Sequence, residues 1–101
     1  METLKTIICS TGHFTLKDNE MLEELARDNN DSGTGNYILS YNYGYMLRLY
    51  AIRKPVLDLK SNGISKELRK FIVAMMKFEA VDILIFDSDG DFIEGFETFD
   101  W

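Results

Sequence analysis

At 101 residues, with 46% hydrophobic side chains and a single proline, the chain is long enough to bury one core and too short for two, so a single globular domain over 1–101 is expected. A formal net charge of −6 argues against general binding to a phosphate backbone, which relies on Lys and Arg to displace counterions. No apolar run approaches the ~18 residues that span a bilayer, no basic and apolar leader opens the chain, and Cys9 has no second cysteine to pair with; a cytoplasmic protein without membrane contact or internal disulfide is expected.

Residues 4–9 (LKTIIC) are short, apolar and β-prone, which predicts a first strand ending at the turn-forming Ser10-Thr11-Gly12. A strand on both sides of Cys9 makes it a buried thiol and leaves no exposed electropositive niche for a nucleophile. Thr15 and Asp18 have the spacing of a helix N-terminal cap, and Leu16, Leu22, Leu25 and Ala26 recur at helical intervals, predicting a helix over 16–28. Its acids Asp18, Glu20, Glu23 and Glu24 suit the positive end of the helix dipole and need no partner. Residues 29–36 (NNDSGTGN) read as a polar loop.

Residues 37–41 and 45–52 are two β-prone runs joined by Asn42-Tyr43-Gly44, a hairpin in which Gly44 is expected to supply a positive φ. Alternation puts Tyr45, Leu47, Leu49 and Ala51 on the core face. Pro55 ends that ladder, and residues 56–60 are read as a crossing to the Ser61-Asn62-Gly63 turn. Ser65 is placed to cap a second helix, whose stripe of Leu68, Phe71, Ile72, Met75 and Met76 is read as core. Residues 81–87 (VDILIFD) have the dense apolar character of a well-buried strand. Asp89-Gly90 then signals a tight turn, with residues 92–99 expected to return antiparallel and Gly95 to bulge so that Asp82 escapes Glu97.

The resulting order, βαββαββ, matches the ferredoxin-like arrangement plus one strand. The expected fold is an α+β two-layer sandwich: a mostly antiparallel five-stranded sheet with two helices on one face.

Charge is blocked along the chain. Residues 48–77 hold eight bases and two acids, and residues 78–101 hold eight acids and no base. His13 together with Asp87 and Asp89 could serve a metal-dependent phosphoesterase, provided that STGH and DSDGD reach the same sheet edge; the ferredoxin-like order keeps them apart. Asp87, Asp89 and Asp91 fill the first, third and fifth positions of a calcium loop, but Phe92 and Thr98 stand where glycine and a bidentate glutamate belong. No cofactor and no metal are therefore assigned. Acids split between both faces of the C-terminal strands also fail to reproduce the charge spacing of DNA.

Three segments carry a resemblance: STGH at 10–13, YGYML at 43–47 and LIFDSDGDFIEGFETFDW at 84–101. Together they resemble a family of short, functionally uncharacterised bacterial domains found on plasmids and integrating elements, with Tyr45 where that family has Trp. The resemblance implies a mobile-element context and assigns no activity to any residue.

These readings lead to an expected function without catalysis: a small acidic accessory protein of a phage or mobile element that binds another protein stoichiometrically, as an inhibitor of a host defence system such as CRISPR or restriction. The expected partner has a basic surface, such as a nucleic-acid-binding effector, with no direct contact to nucleic acid. The residues expected to meet it are Tyr37, Tyr41, Tyr43, Asp87, Asp89, Asp91 and Glu94. A hydrolase using Asp87, Asp89 and His13 is the alternative. A homodimer seamed by exposed third and fifth strands is a further possibility.

Overall fold

The structure is a computed structural model and describes residues 3–32 and 37–99. The polar stretch at 33–36 and the terminal Asp100 and Trp101 lie outside the described residues. Among the described residues, four strands and three α-helices follow one another as β1 (Thr6–Ser10), α1 (Leu16–Ser32), β2 (Ile38–Tyr41), β3 (Gly44–Arg48), α2 (Pro55–Ser61), α3 (Lys66–Phe78) and β4 (Ile83–Asp87). They form one mixed sheet in the order β1-β4-β3-β2, in which β1 and β4 run parallel and the other neighbours antiparallel. The α+β class holds, while the five-stranded, mostly antiparallel ferredoxin-like sheet does not.

The reason lies in the position of β4. It is hydrogen-bonded to β1 on one side and to β3 on the other, so neither of its edges is open to a returning strand. Residues 92–99 therefore form no strand, and Gly95 sits in a turn at φ 93° instead of a bulge. β3 is likewise an interior strand, which removes it as an exposed dimer seam.

The sheet turns Cys9, Ile38, Tyr45, Leu47, Leu84 and Phe86 toward the helices, which answer with Leu22 and Ala26 from α1, Leu59 from α2, and Leu68, Phe71, Ile72 and Met75 from α3. The opposite face carries Ile8, Ile85, Met46 and Leu39 in one row across all four strands. The α3 stripe is core, as its spacing predicts, with Met76 half-buried beside it.

Two caps set the helices. The Asp18 backbone N–H donates to the Thr15 hydroxyl at 3.2 Å, opening α1, and the Leu68 N–H donates to the Ser65 hydroxyl at 3.2 Å, opening α3. The Asp18 carboxylate, 1% exposed, joins the two caps. It accepts from the Ser65 backbone N–H at 2.9 Å and from the Ser65 hydroxyl at 2.6 Å, so its charge is met by two donors in a dry site. The read of α1 as ending at residue 28 is four residues short.

α2 replaces the expected crossing. β3 already ends at Arg48, where the chain enters a 3-10 turn over Leu49–Ala51, and Pro55 occupies the first turn of a helix, where its missing N–H has no partner to lose; Leu59 buries the helix against the core. Gly44 needs no positive φ. It faces Asp87 on β4, and a Cβ there would lie 1.7 Å from the Phe86 carbonyl oxygen. Gly44→Ala is expected to destabilise the fold by roughly 3 kcal/mol or more in urea denaturation, because the clash is with backbone that cannot rotate away.

Candidate functional site

The parallel pairing of β1 with β4 registers Ser10 against Asp87, and the antiparallel pairing of β3 registers Gly44 against the same residue. Three segments far apart in sequence, 10–13, 41–45 and 87–91, therefore meet at one end of the sheet. Carboxyl ends of parallel strands are the usual location of ligand crevices in open sheets.

The turn after β4 is built from its own side chain: the Asp89 N–H donates to Asp87 Oδ1 at 2.8 Å and the Gly90 N–H to the Asp87 carbonyl at 2.9 Å. The chain then passes so close over the end of β1 that a Cβ on Gly90 would lie 2.4 Å from the Cys9 carbonyl oxygen. The Tyr41 hydroxyl donates to Asp87 Oδ2 at 3.0 Å, and the Ser88 N–H donates to the Tyr43 carbonyl at 2.8 Å, tying the hairpin turn to the acidic turn. Tyr41 and Tyr43 remain 40% and 60% exposed; Asp89 is exposed on the adjoining turn, and Asp91 is exposed on the β1 side, where its carbonyl accepts from the Ser10 N–H. Next to Tyr41 and Tyr43 lies a cleft of about 340 Å³ floored by Tyr45 and walled by Asn19, Glu23 and Ser88.

Not every expected contact residue stands on this edge. Tyr37 is buried, and its hydroxyl donates to Asp58 of α2, so it tethers β2 to α2 and is not available to a partner. Glu94 is exposed on the later turn. Asp87 is half-buried and committed to Asp89 and Tyr41, which leaves Tyr43, Asp89 and Asp91 as the freest groups.

His13 is brought to this end of the sheet, as the hydrolase reading requires, but it faces inward. It is 2% exposed and stacks on Phe71 at 4.6 Å between ring centroids. Its Nδ1–H donates to the Glu97 carbonyl at 3.0 Å, and its Nε2 accepts from the Ile93 N–H at 2.8 Å, a pattern that only the neutral Nδ1–H tautomer satisfies. Both ring nitrogens are thus filled by the C-terminal segment. Among the described residues, no three His, Cys, Asp or Glu side chains stand close enough together to hold a metal ion.

The family model for the DUF5983 C-terminal domain, a family of unknown function, matches residues 6–101. The chain belongs to the DUF5983 family. Comparison of this DUF5983 chain with curated proteins and with solved structures finds no match. Among its described residues no helix is long and apolar enough to cross a membrane.

Burial sets the protonation behaviour of the groups around the site. It pushes the Cys9 thiol up to about 12. The Tyr45 phenol also rises to about 12, from burial first and then from the charge of Glu23; its hydroxyl donates to Asn19 at 2.9 Å. For Tyr41, burial and then its bond to Asp87 raise it to about 12, and Tyr37 is raised further by burial and Asp58. Each group is neutral when protonated, so the folded state holds these protons more tightly than the unfolded chain. Stability is expected to be complete below about pH 8, where the unfolded thiol and phenols are still protonated, and to fall as pH rises toward 12. Denaturation midpoints measured across that range test this, and Cys9 should resist thiol reagents near pH 8 until the protein is unfolded.

His13→Ala removes an acceptor and a donor from the C-terminal segment at once. The expected result is amide exchange at Ile93 that accelerates at least about tenfold more than exchange at Leu84 in the sheet.

Proposed function

We propose that this protein acts by stoichiometric binding to another protein through the edge formed by Tyr41, Tyr43, Asp89 and Asp91, with Asp87 holding that edge together. The observation that carries this reading is the meeting of two exposed tyrosines with the acidic turn at one end of the sheet. Exposed tyrosines supply rigid apolar area of the kind that anchors interfaces, and the carboxylates steer a basic surface toward them.

A basic surface is the common property of proteins that handle nucleic acid. The resemblance of the STGH, YGYML and C-terminal segments to domains of plasmids and integrating elements supports a cytoplasmic accessory role there, with a defence nuclease of the CRISPR or restriction type as the partner. Co-expression with such systems, followed by affinity capture and a plasmid-survival assay, is expected to yield a complex and protection. Tyr43→Ala combined with Asp89→Lys should weaken the complex at least about tenfold, the loss of one anchor and one charge reversal. Absence of both complex and protection would sink the reading.

The topology also favours the hydrolase reading in one respect, since His13 and the Asp87 turn do reach the same end of the sheet. Its weakness is that His13 has no free lone pair while Ile93 donates to it. Phosphoesterase activity with Mg²⁺, Mn²⁺ or Zn²⁺ that Asp89→Asn abolishes would restore it over the binding role.

A further inference from the structure

α3 has a second face. Opposite its buried stripe, Lys66, Arg69, Lys70, Val73 and Lys77 fall at helical intervals, and beside them lies a groove of about 450 Å³. Its apolar part is Val73, Ala74 and Phe78, with Val56 of α2 on the far side, and no carboxylate lines it. Val73 is 44% exposed and Phe78 is 75% exposed, so the groove presents apolar area to solvent with four cations around it. Neither ion pair of the described residues, Lys5 with Glu79 or Arg27 with Glu23, uses any of these four.

Two of the cations are held in place. The Arg69 Nε–H donates to the Ile64 carbonyl at 3.1 Å, which fixes the guanidinium over the turn before α3. The Lys77 ammonium stands 5.6 Å from the Phe78 ring centroid, a cation–π distance. From Lys66 to Lys77 the cations span about 17 Å along the axis, the length of three helical turns.

An apolar strip bounded by cations matches a ligand of the opposite pattern. A polyanion without apolar groups would leave Val73 and Phe78 wet, and an extended anionic surface such as nucleic acid or a membrane would reach past the groove onto the acids of a chain of net charge −6, whereas a short helix is confined to the groove. We propose that this groove docks an acidic amphipathic helix of a partner protein, its apolar side chains covering Val73, Ala74 and Phe78 and its carboxylates facing Lys66, Arg69, Lys70 and Lys77. The groove shares no lining residue with the tyrosine cleft, so the two surfaces are open to different partners at once.

Fluorescence anisotropy with a labelled probe tests the proposal: a helical peptide of about 18 residues with Leu at i, i+3, i+4 and i+7 and Glu on both flanks, in about 150 mM salt. Saturable binding is expected, about tenfold tighter than that of a poly-Glu peptide of equal length. Val73→Glu and, separately, Lys66→Glu with Lys77→Glu should each weaken it about tenfold. All three sites are on the exposed side of α3, and an unchanged circular dichroism spectrum confirms the fold. The proposal is overturned if the peptide does not bind, if the α3 variants bind it like the parent, or if an oligothymidylate or phosphatidylserine vesicles bind as tightly as the peptide.

Discussion

One imidazole decides where the last part of the chain goes. His13 stands on the 3-10 turn that follows β1, and its two nitrogens take up an N–H from Ile93 and a carbonyl from Glu97. A segment with no strand or helix of its own is thereby fixed by a donor and an acceptor on a single buried ring. Three further contacts act with it: the Ser10 N–H donates to the Asp91 carbonyl at 2.9 Å, the Phe99 N–H donates to the Gly12 carbonyl at 2.7 Å, and Phe96 packs edge-on against Phe71 at 5.0 Å. The arrangement satisfies backbone groups that a sheet ladder would otherwise have satisfied. While that bond holds, the Nε2 lone pair is taken by a backbone N–H and is not offered to a metal or a proton.

The segment needs this anchor because β4 has no free edge. In sequence, residues 81–87 read as a well-buried strand, and the strand forms over Ile83–Asp87 with Leu84 and Phe86 buried. The Asp89-Gly90 dipeptide pointed to a hairpin all the same. Its local chemistry is a turn in either case, with Asp87 capping the Asp89 N–H; what the dipeptide cannot encode is whether a vacant edge awaits the returning chain. Nor does alternation report strand order, and order alone decides that STGH and DSDGD share one end of the sheet. The ferredoxin-like expectation separated them for that reason.

Where the interaction is local, the residues were legible. Thr15 and Ser65 cap the helices they were read to cap, Cys9 is buried, and the Leu68, Phe71, Ile72 and Met75 stripe is core. Where a side chain acts across the fold, sequence spacing was silent. Asp18 read as a first-turn acid serving the dipole, yet it is buried and holds the cap of a helix 47 residues away. Tyr37 read as one of a set of contact tyrosines, yet Asp58 claims its hydroxyl. α2 was missed because Pro55 was weighed only as a breaker of the strand before it; the same fixed φ that stops a ladder starts a helix.

The blocked charges of the sequence settle on different parts of the fold and meet where Lys70 and Glu97 line one pocket. Residues 48–77 place Lys66, Arg69, Lys70 and Lys77 along the outer side of α3, while Asp87, Asp89, Asp91, Glu94 and Glu97 stand at the end of β4 and on the segment that His13 holds; Glu79 and Asp82 meet Lys5 at the start of β4. Strand pairing is a poor route to association for such a molecule: β3 is interior, and the edge strands β1 and β2 have five and four residues, short enough to offer few ladder bonds. Association through side chains remains, and the two surfaces differ in kind. At the tyrosine edge Tyr41 and Asp87 are already set against each other, so a partner meets them with little left to order. The α3 groove has Arg69 and Lys77 set in place around an apolar strip, and a partner that fills it has the long side chains of Lys66 and Lys70 left to order. A tight and specific contact is therefore better placed at the tyrosine edge, and a weaker, salt-sensitive one along α3.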